Sequence, residues 1–195
     1  MNNDLDNKLC TAYPKLFRDR HQSMDKTCMC WGFAHDDGWY NIIDTLCRGI
    51  QGHINYSRQQ RSRALRYNRI LTKLIATGDI APYVNHISST PDAKWAIDSA
   101  NKALANPEFK IVPEIVPQVT VSQVKEKFGT LRFYYNGGDT SIEAMVRFAE
   151  AMSGCTCETC GSPGVRRGGG WVRTLCDKHA EEQGYHLTPE EEANI

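Results

Sequence analysis

The strongest constraint on this chain is a spacing near its C-terminus. Cys157-Glu158-Thr159-Cys160-Gly161 is followed, with fifteen residues between Cys160 and Cys176, by Cys176-Asp177-Lys178-His179. A two-residue knuckle delivers two thiolates from one turn, and a pair at i and i+3 delivers two more ligands from one face of a helix. Zinc demands a tetrahedron of soft or borderline donors. Cys157, Cys160, Cys176 and His179 are therefore read as the ligands of a structural zinc. The stretch between them, from Gly161 to Leu175, is rich in glycine and carries Trp171-Val172-Arg173, which suits a short hairpin; Ala180-Glu181-Glu182 continue the second pair as helix. Cys155, crowded against Cys157 in Cys155-Thr156-Cys157, is an alternative ligand.

Knuckle, hairpin and helix in that order resemble a treble-clef finger. A catalytic zinc fits less well. His179-Ala180-Glu181 contains the His-x-Glu of zinc deaminases, but the order of the two motifs is reversed and no proline precedes the Cys157 pair. Cys176 also fills the position that a catalytic zinc keeps open for water. The histidines by which an HNH nuclease activates water are missing from this hairpin. The other cysteines, Cys10, Cys28, Cys30 and Cys47, read as buried thiols: Cys28-Met29-Cys30 is too tight for a knuckle, although His21 or His35 would be at hand for a second metal.

The eight cysteines take this meaning from the expected compartment. Residues 1–8 lack the basic and then apolar pattern of a signal peptide, and no apolar run approaches the roughly 18 residues of a membrane span. A cytosolic, reducing setting is expected, and clustered thiols there speak for metal rather than disulfides. The formal net charge is zero. Overall neutrality argues against a nucleic-acid coat protein but permits a local anion-binding face. The charge is unevenly spread: 46–78 holds Lys and Arg but no Asp or Glu, and the acidic stretch 181–192 holds five Glu but no Lys or Arg.

The first forty residues read as irregular, wrapping over the body. Asp36-Asp37-Gly38 then offers cap-type residues ahead of an amphipathic run with Trp39, Ile42, Ile43, Leu46 and Ile50 at helical spacing. A second helix is expected over 57–77, with Tyr67, Ile70, Leu71, Leu74 and Ile75 as its apolar stripe. Ser89-Thr90-Pro91 signals a third, carrying Trp95, Ile97 and Leu104 and stopping by Asn106-Pro107. Pro107, Pro113 and Pro117 impose an extended crossing segment. Residues 119–124 and 130–135 read as a β-hairpin with Gly129 near its turn. Thr140-Ser141-Ile142-Glu143 has capping-box spacing for a helix with Ile142, Met145, Val146, Ala149 and Met152 on one side, and Gly154 stops it.

Two basic groupings are candidate sites for a phosphate-bearing ligand. Arg58, Arg61, Arg66, Arg69 and Lys73 lie opposite the apolar stripe of the second helix without acidic partners for pairing along it. A solvated helix face accounts for that row as well. In the hairpin, Lys125 and Lys127 share one face of their strand, and Arg132 and Tyr134 share one face of the return strand. The register decides whether the four converge on an anion or stand apart as edge residues. Glu126 and Asp139 lie nearby for acid–base chemistry, although no spacing requires it. His53 and His86 stand alone and read as structural; Trp31, Trp39 and Trp95 read as core or lid aromatics.

Three stretches together carry a resemblance: Trp31-Gly32 through Asp37-Gly38-Trp39 to Leu46-Cys47, Val124 through Lys127-Phe128-Gly129-Thr130-Leu131-Arg132-Phe133-Tyr134, and the Cys/His module. They resemble a family of small uncharacterised proteins of bacteriophages and prophages, over about residues 13–179. The resemblance implies context and no catalytic residues: a host-directed, counter-defence role in the cytoplasm of an infected or lysogenic bacterium. The expected fold is α+β, with a helical N-terminal half, a β-hairpin plus helix, and a C-terminal treble-clef-like zinc module. An α+β body (1–154) and a zinc module with acidic tail (155–195) are expected to pack as one unit. The leading functional expectation is capture of a phosphate-bearing ligand such as a signalling nucleotide at Lys125, Lys127, Arg132, Tyr134, Arg61, Arg66 and Arg69. The alternatives are an enzyme that cleaves such a nucleotide, and a zinc-stabilised module that docks on a host protein or nucleic acid. No membrane partner is expected.

Overall fold

The computed structural model describes residues 1–168 and 170–187, so the acidic stretch expected at 181–192 lies partly outside it. The architecture is mixed α+β. By its contacts the chain forms two compact units, one built from Met1–Ile54 and the residues from Val116 onward, the other from Asn55–Ile115.

The first unit begins with helix α1 (Asn3–Ala12), in a region expected to be irregular. Its sequence is too polar to advertise a helix. Asn2 caps it by accepting from the Leu5 amide at 2.9 Å, and Leu9 is fully buried. A two-residue strand β1 (Phe33–Ala34) lies parallel to β2 (Thr120–Lys127), which pairs antiparallel with β3 (Thr130–Asn136) in the order β1-β2-β3. The hairpin is the one read from the sequence. Phe128 and Gly129, with φ of 54° and 79°, form its tip; two consecutive left-handed residues give a turn whose twist matches the strands it joins. Val121, Val124, Leu131 and Phe133 face a core shared with Trp39, Ile43, Ile50, Ile142 and Val146.

Helix α2 (Tyr40–Thr77) is one continuous element of 38 residues, where the sequence suggested two helices. No proline intervenes, and the apolar positions Ile43, Leu46, Ile50 and Ile54 keep helical phase through Gly49 and Gly52. Helix α3 (Ala81–Ile87), unheralded in the sequence, has Pro82 in its first turn, where a missing N–H costs nothing. Helix α4 (Lys94–Ala105) starts after the Ser89-Thr90-Pro91 signal, because the Ser88 hydroxyl instead closes a turn on Thr90. Its buried face is Ala96, Ala100 and Ala103, while Trp95 is 59% exposed. In the second unit these residues join Leu71, Leu74, Tyr83 and Val84 in a core of their own. The proline-punctuated segment runs without regular structure, held against α2 by reciprocal Asn68–Lys110 bonds of 2.8 Å and by Arg61 donating to the Pro113 carbonyl.

Helix α5 (Thr140–Ser153) is capped by Asp139, one residue before the expected Thr140: the Asp139 carboxylate accepts from the Ile142 amide at 3.1 Å. It covers the free edge of β3. Glu150 accepts from the Phe133 amide at 3.0 Å, and the Ser153 hydroxyl from the Leu131 amide at 2.8 Å. These bonds satisfy donors that an exposed edge would offer to another chain. Met145, which also packs against the core, and Met152 line an open apolar groove of about 440 Å³ with Ile42, Leu46, Gly49 and Phe148.

Candidate metal centre and basic faces

The C-terminal segment follows the knuckle, hairpin and helix order. After the knuckle come β4 (Val165–Gly168), β5 (Arg173–Leu175), α6 (Asp177–Gln183) and β6 (His186–Leu187), with β4 central in its sheet. Gly161, at φ 79°, closes the knuckle by donating to the Cys157 carbonyl at 2.8 Å. Cys176 stands at the N-terminal edge of α6, and His179 sits on its first turn.

The four donor atoms converge. They lie within 4.8 Å of one another and can hold a metal ion. The Cys160 and Cys176 sulfurs are 3.9 Å apart, and His179 Nδ1 is 3.2 Å from the Cys176 sulfur and 3.5 Å from that of Cys157. A tetrahedron built on metal–sulfur bonds of about 2.3 Å has edges of about 3.8 Å, so the spacing fits one ion at the centre. Cys155 is not part of the group: its thiol is exposed and donates to the Met152 carbonyl at 3.2 Å. Bonding to the Ser162 hydroxyl lowers the Cys160 thiol to about 6, toward the thiolate that metals require. Burial pushes Cys157 the other way.

The centre is tied to the N-terminal segment by residues that the sequence left unremarked. Glu158, inside the knuckle and only 4% exposed, accepts from Arg173 Nε at 3.0 Å and from the Asp36 amide at 3.2 Å. Arg173 also pairs with the Asp36 carboxylate and donates to Gln183 at 2.8 Å. Burial raises the Glu158 carboxyl even against its Arg173 partner. Gly38 donates to the Glu158 carbonyl at 2.7 Å, and Trp39 Nε1 to the Thr156 carbonyl at 2.9 Å. Asp36, Gly38 and Trp39 thus seat the knuckle. Their cap-like setting hid that role, because the knuckle partner of each is more than a hundred residues away.

On the hairpin the register aligns the two basic faces. Lys125 pairs directly with Arg132, Gln123 with Tyr134 and Lys127 with Thr130. These rungs alternate with the buried Val124–Phe133 rung, so all six side chains share the side turned away from the core. Lys125 Nζ sits 5.5 Å from the centre of the Tyr134 ring. Glu126 lies on other rungs and is fully engaged, accepting from the Gly129 amide at 2.6 Å and from Trp171 Nε1 at 2.9 Å. Asp139 is likewise committed. Burial works to raise its carboxyl, but His53 Nε2 at 2.8 Å and the amides of its helix N-terminus hold it below the usual range. Neither carboxylate is free for the acid–base role considered from the sequence, and His53 does not stand alone.

The arginine row is carried by the second unit. Arg66 and Arg69 are exposed, while Arg61 is spent on the Pro113 carbonyl. Among the described residues no ion pair is formed by Arg58, Arg61, Arg66, Arg69 or Lys73. The row and the hairpin face belong to different units. Of the early cysteines, only Cys47 is fully buried and Cys28 is exposed; Cys157, Cys160, Cys176 and His179 are the one potential metal group among the described residues. Trp31 is 72% exposed, whereas Trp39 is core. Among the described residues no helix is long and apolar enough to cross a membrane.

Fold and site together define a mixed α+β protein with a potential Cys₃His metal centre. No family model, curated protein or solved structure matches the chain.

Proposed function

We propose that this is a zinc-stabilised binding protein whose open β-sheet face captures a phosphate-bearing ligand. The observation that carries the reading is the cross-strand pairing of Lys125 with Arg132, with Lys127 and Tyr134 on the same side. Two cations on one rung suit a phosphate: Arg132, whose Nη1 donates to the Thr130 hydroxyl and the Leu131 carbonyl, keeps Nε and Nη2 as a planar fork, and Lys125 is a point charge. The metal is read as structural zinc in a treble-clef-like module: three thiolates and an imidazole close the coordination shell, leaving no position for a reacting water. Capture is favoured over cleavage because Glu126 and Asp139 are both held in structural bonds. The resemblance to phage proteins supplies the setting, a host nucleotide signal being the kind of ligand such a protein would remove.

The test is to incubate the purified protein with linear and cyclic nucleotides, filter it out, and chromatograph the filtrate and the heat-released material. Depletion of a compound that is recovered intact, and lost with Lys125→Ala/Arg132→Ala, supports capture. Recovery in altered form would replace it with an enzyme. A second reading, a module docking on a host protein, is favoured by the apolar groove beside Phe148, which is 68% exposed. It predicts a specific partner in pull-downs that Phe148→Asp abolishes.

A further inference from the structure

We infer that the ligand of the sheet face is a stretch of single-stranded nucleic acid rather than a free nucleotide. The inference rests on the phosphate-capture reading and narrows it. Three observations carry it.

The cations form a line. Lys125 with Arg132 occupy one rung, and Lys127 the next rung on the same side, about 7 Å further along the strands. One terminal phosphate engages one rung; a backbone of successive phosphates engages both. No carboxylate interrupts this side of the hairpin, because Glu126 points to the Gly129 amide and Trp171.

Aromatic rings alternate with the cations. Tyr134 is 42% exposed with Lys125 over its ring. At the tip, Phe128 is 60% exposed with Lys127 Nζ 5.5 Å from its centre. Large exposed rings set among cations are what unpaired bases stack on, and every base has such a face. A duplex keeps its bases stacked inside and gives these rings nothing to hold.

The face is open. Small ligands favour concave sites that bury most of their surface. The groove beside Phe148 and the small polar cavity lined by Met1, Asn2, Asp36, Asp37 and Thr159 include no residue of this face. Ala34, exposed on β1 beside Lys125, adds no bulk to wall it in.

Fluorescence anisotropy with labelled 12-nucleotide single strands of DNA and RNA tests the inference, with the same sequence as duplex and with mononucleotides and inorganic triphosphate as competitors. Single strands are expected to bind in preference to duplex, and log K to fall with log salt with a slope of about −2, as three phosphate contacts on a single strand imply. Tyr134→Ala and Phe128→Ala are each expected to weaken binding about fivefold or more, and Lys125→Ala to make the salt slope shallower. Thermal melts of these surface variants establish that they fold; Lys127→Glu, on an exposed side chain, supplies an independent charge test. Equal affinity for duplex, or displacement by a mononucleotide at the same phosphate concentration, would overturn the inference while leaving phosphate capture standing. Binding of neither oligonucleotide nor nucleotide would overturn both.

Discussion

At the scale of single residues, two positions are decided by what surrounds them. Gly38 has no room for a side chain: a Cβ there would lie 2.2 Å from the Cys157 carbonyl oxygen and 2.6 Å from that of Glu158. Both neighbours are backbone of the knuckle and cannot step aside. Gly38→Ala is therefore expected to cost about 2 kcal/mol or more, read as a lowered melting temperature. His35 is 6% exposed between the rings of Phe33 and Trp39, with Nδ1 on the Asp36 carbonyl and Nε2 unpartnered. Burial pushes the imidazole down from 6.5 to about 4, even though Asp36 and Asp37 pull it up. The unfolded chain takes the proton first. Stability from this residue is fully present above pH 6.5 and falls by about 3 kcal/mol as the pH drops toward 4. Denaturant titrations of His35→Leu should lose that share of the acid sensitivity between those values. Parallel curves for variant and parent would refute it.

At the scale of elements, the hairpin and α5 were legible because their signals are local. The β-rich runs flank Phe128-Gly129, and a cap-type residue precedes an apolar period of 3.6. What local pattern left open was which cap is used, and Asp139 takes it because its second oxygen also reaches His53. Asp139→Ala is expected to destabilise by about 1 to 2 kcal/mol in chemical denaturation, whereas Thr140→Ala should stay within about 0.5 kcal/mol. Equal effects would mean that the cap lies at Thr140 after all. Helices α1 and α3 were not legible. Each is too short to stand alone, and burial of Leu9, Tyr83 and Val84 against other elements holds them. Trp95 shows the converse: its size suggested core, yet alanines form the buried face of α4, the small side chains allowing close approach.

At the scale of the whole molecule, the proposed structural metal makes the first unit depend on a centre at one end of the chain and on residues 36–39 near the other. Removing the metal with a chelator, or replacing Cys160 with Ser, is expected to abolish cooperative thermal unfolding of that unit, followed by near-UV circular dichroism of Trp39 and its neighbours. An unchanged melt would remove the structural-metal reading. Breaking the Glu158–Arg173–Asp36 cluster acts on the same end: Arg173→Met leaves a buried carboxylate unpaired, at about 3 to 5 kcal/mol.

The sequence by itself determined the four potential metal donors, the hairpin and the proline-punctuated segment without regular structure. Each follows from geometry within a few residues: the reach of a knuckle, the spacing of a helical turn, the fixed φ of proline. Only the tertiary structure decided that Lys125 faces Arg132, that α2 runs unbroken, that Glu126 and Asp139 are spent on structural bonds, and that Asp36 and Gly38 seat the knuckle. Those outcomes depend on which faces are buried together and on partners as much as 137 residues apart. No local spacing encodes them.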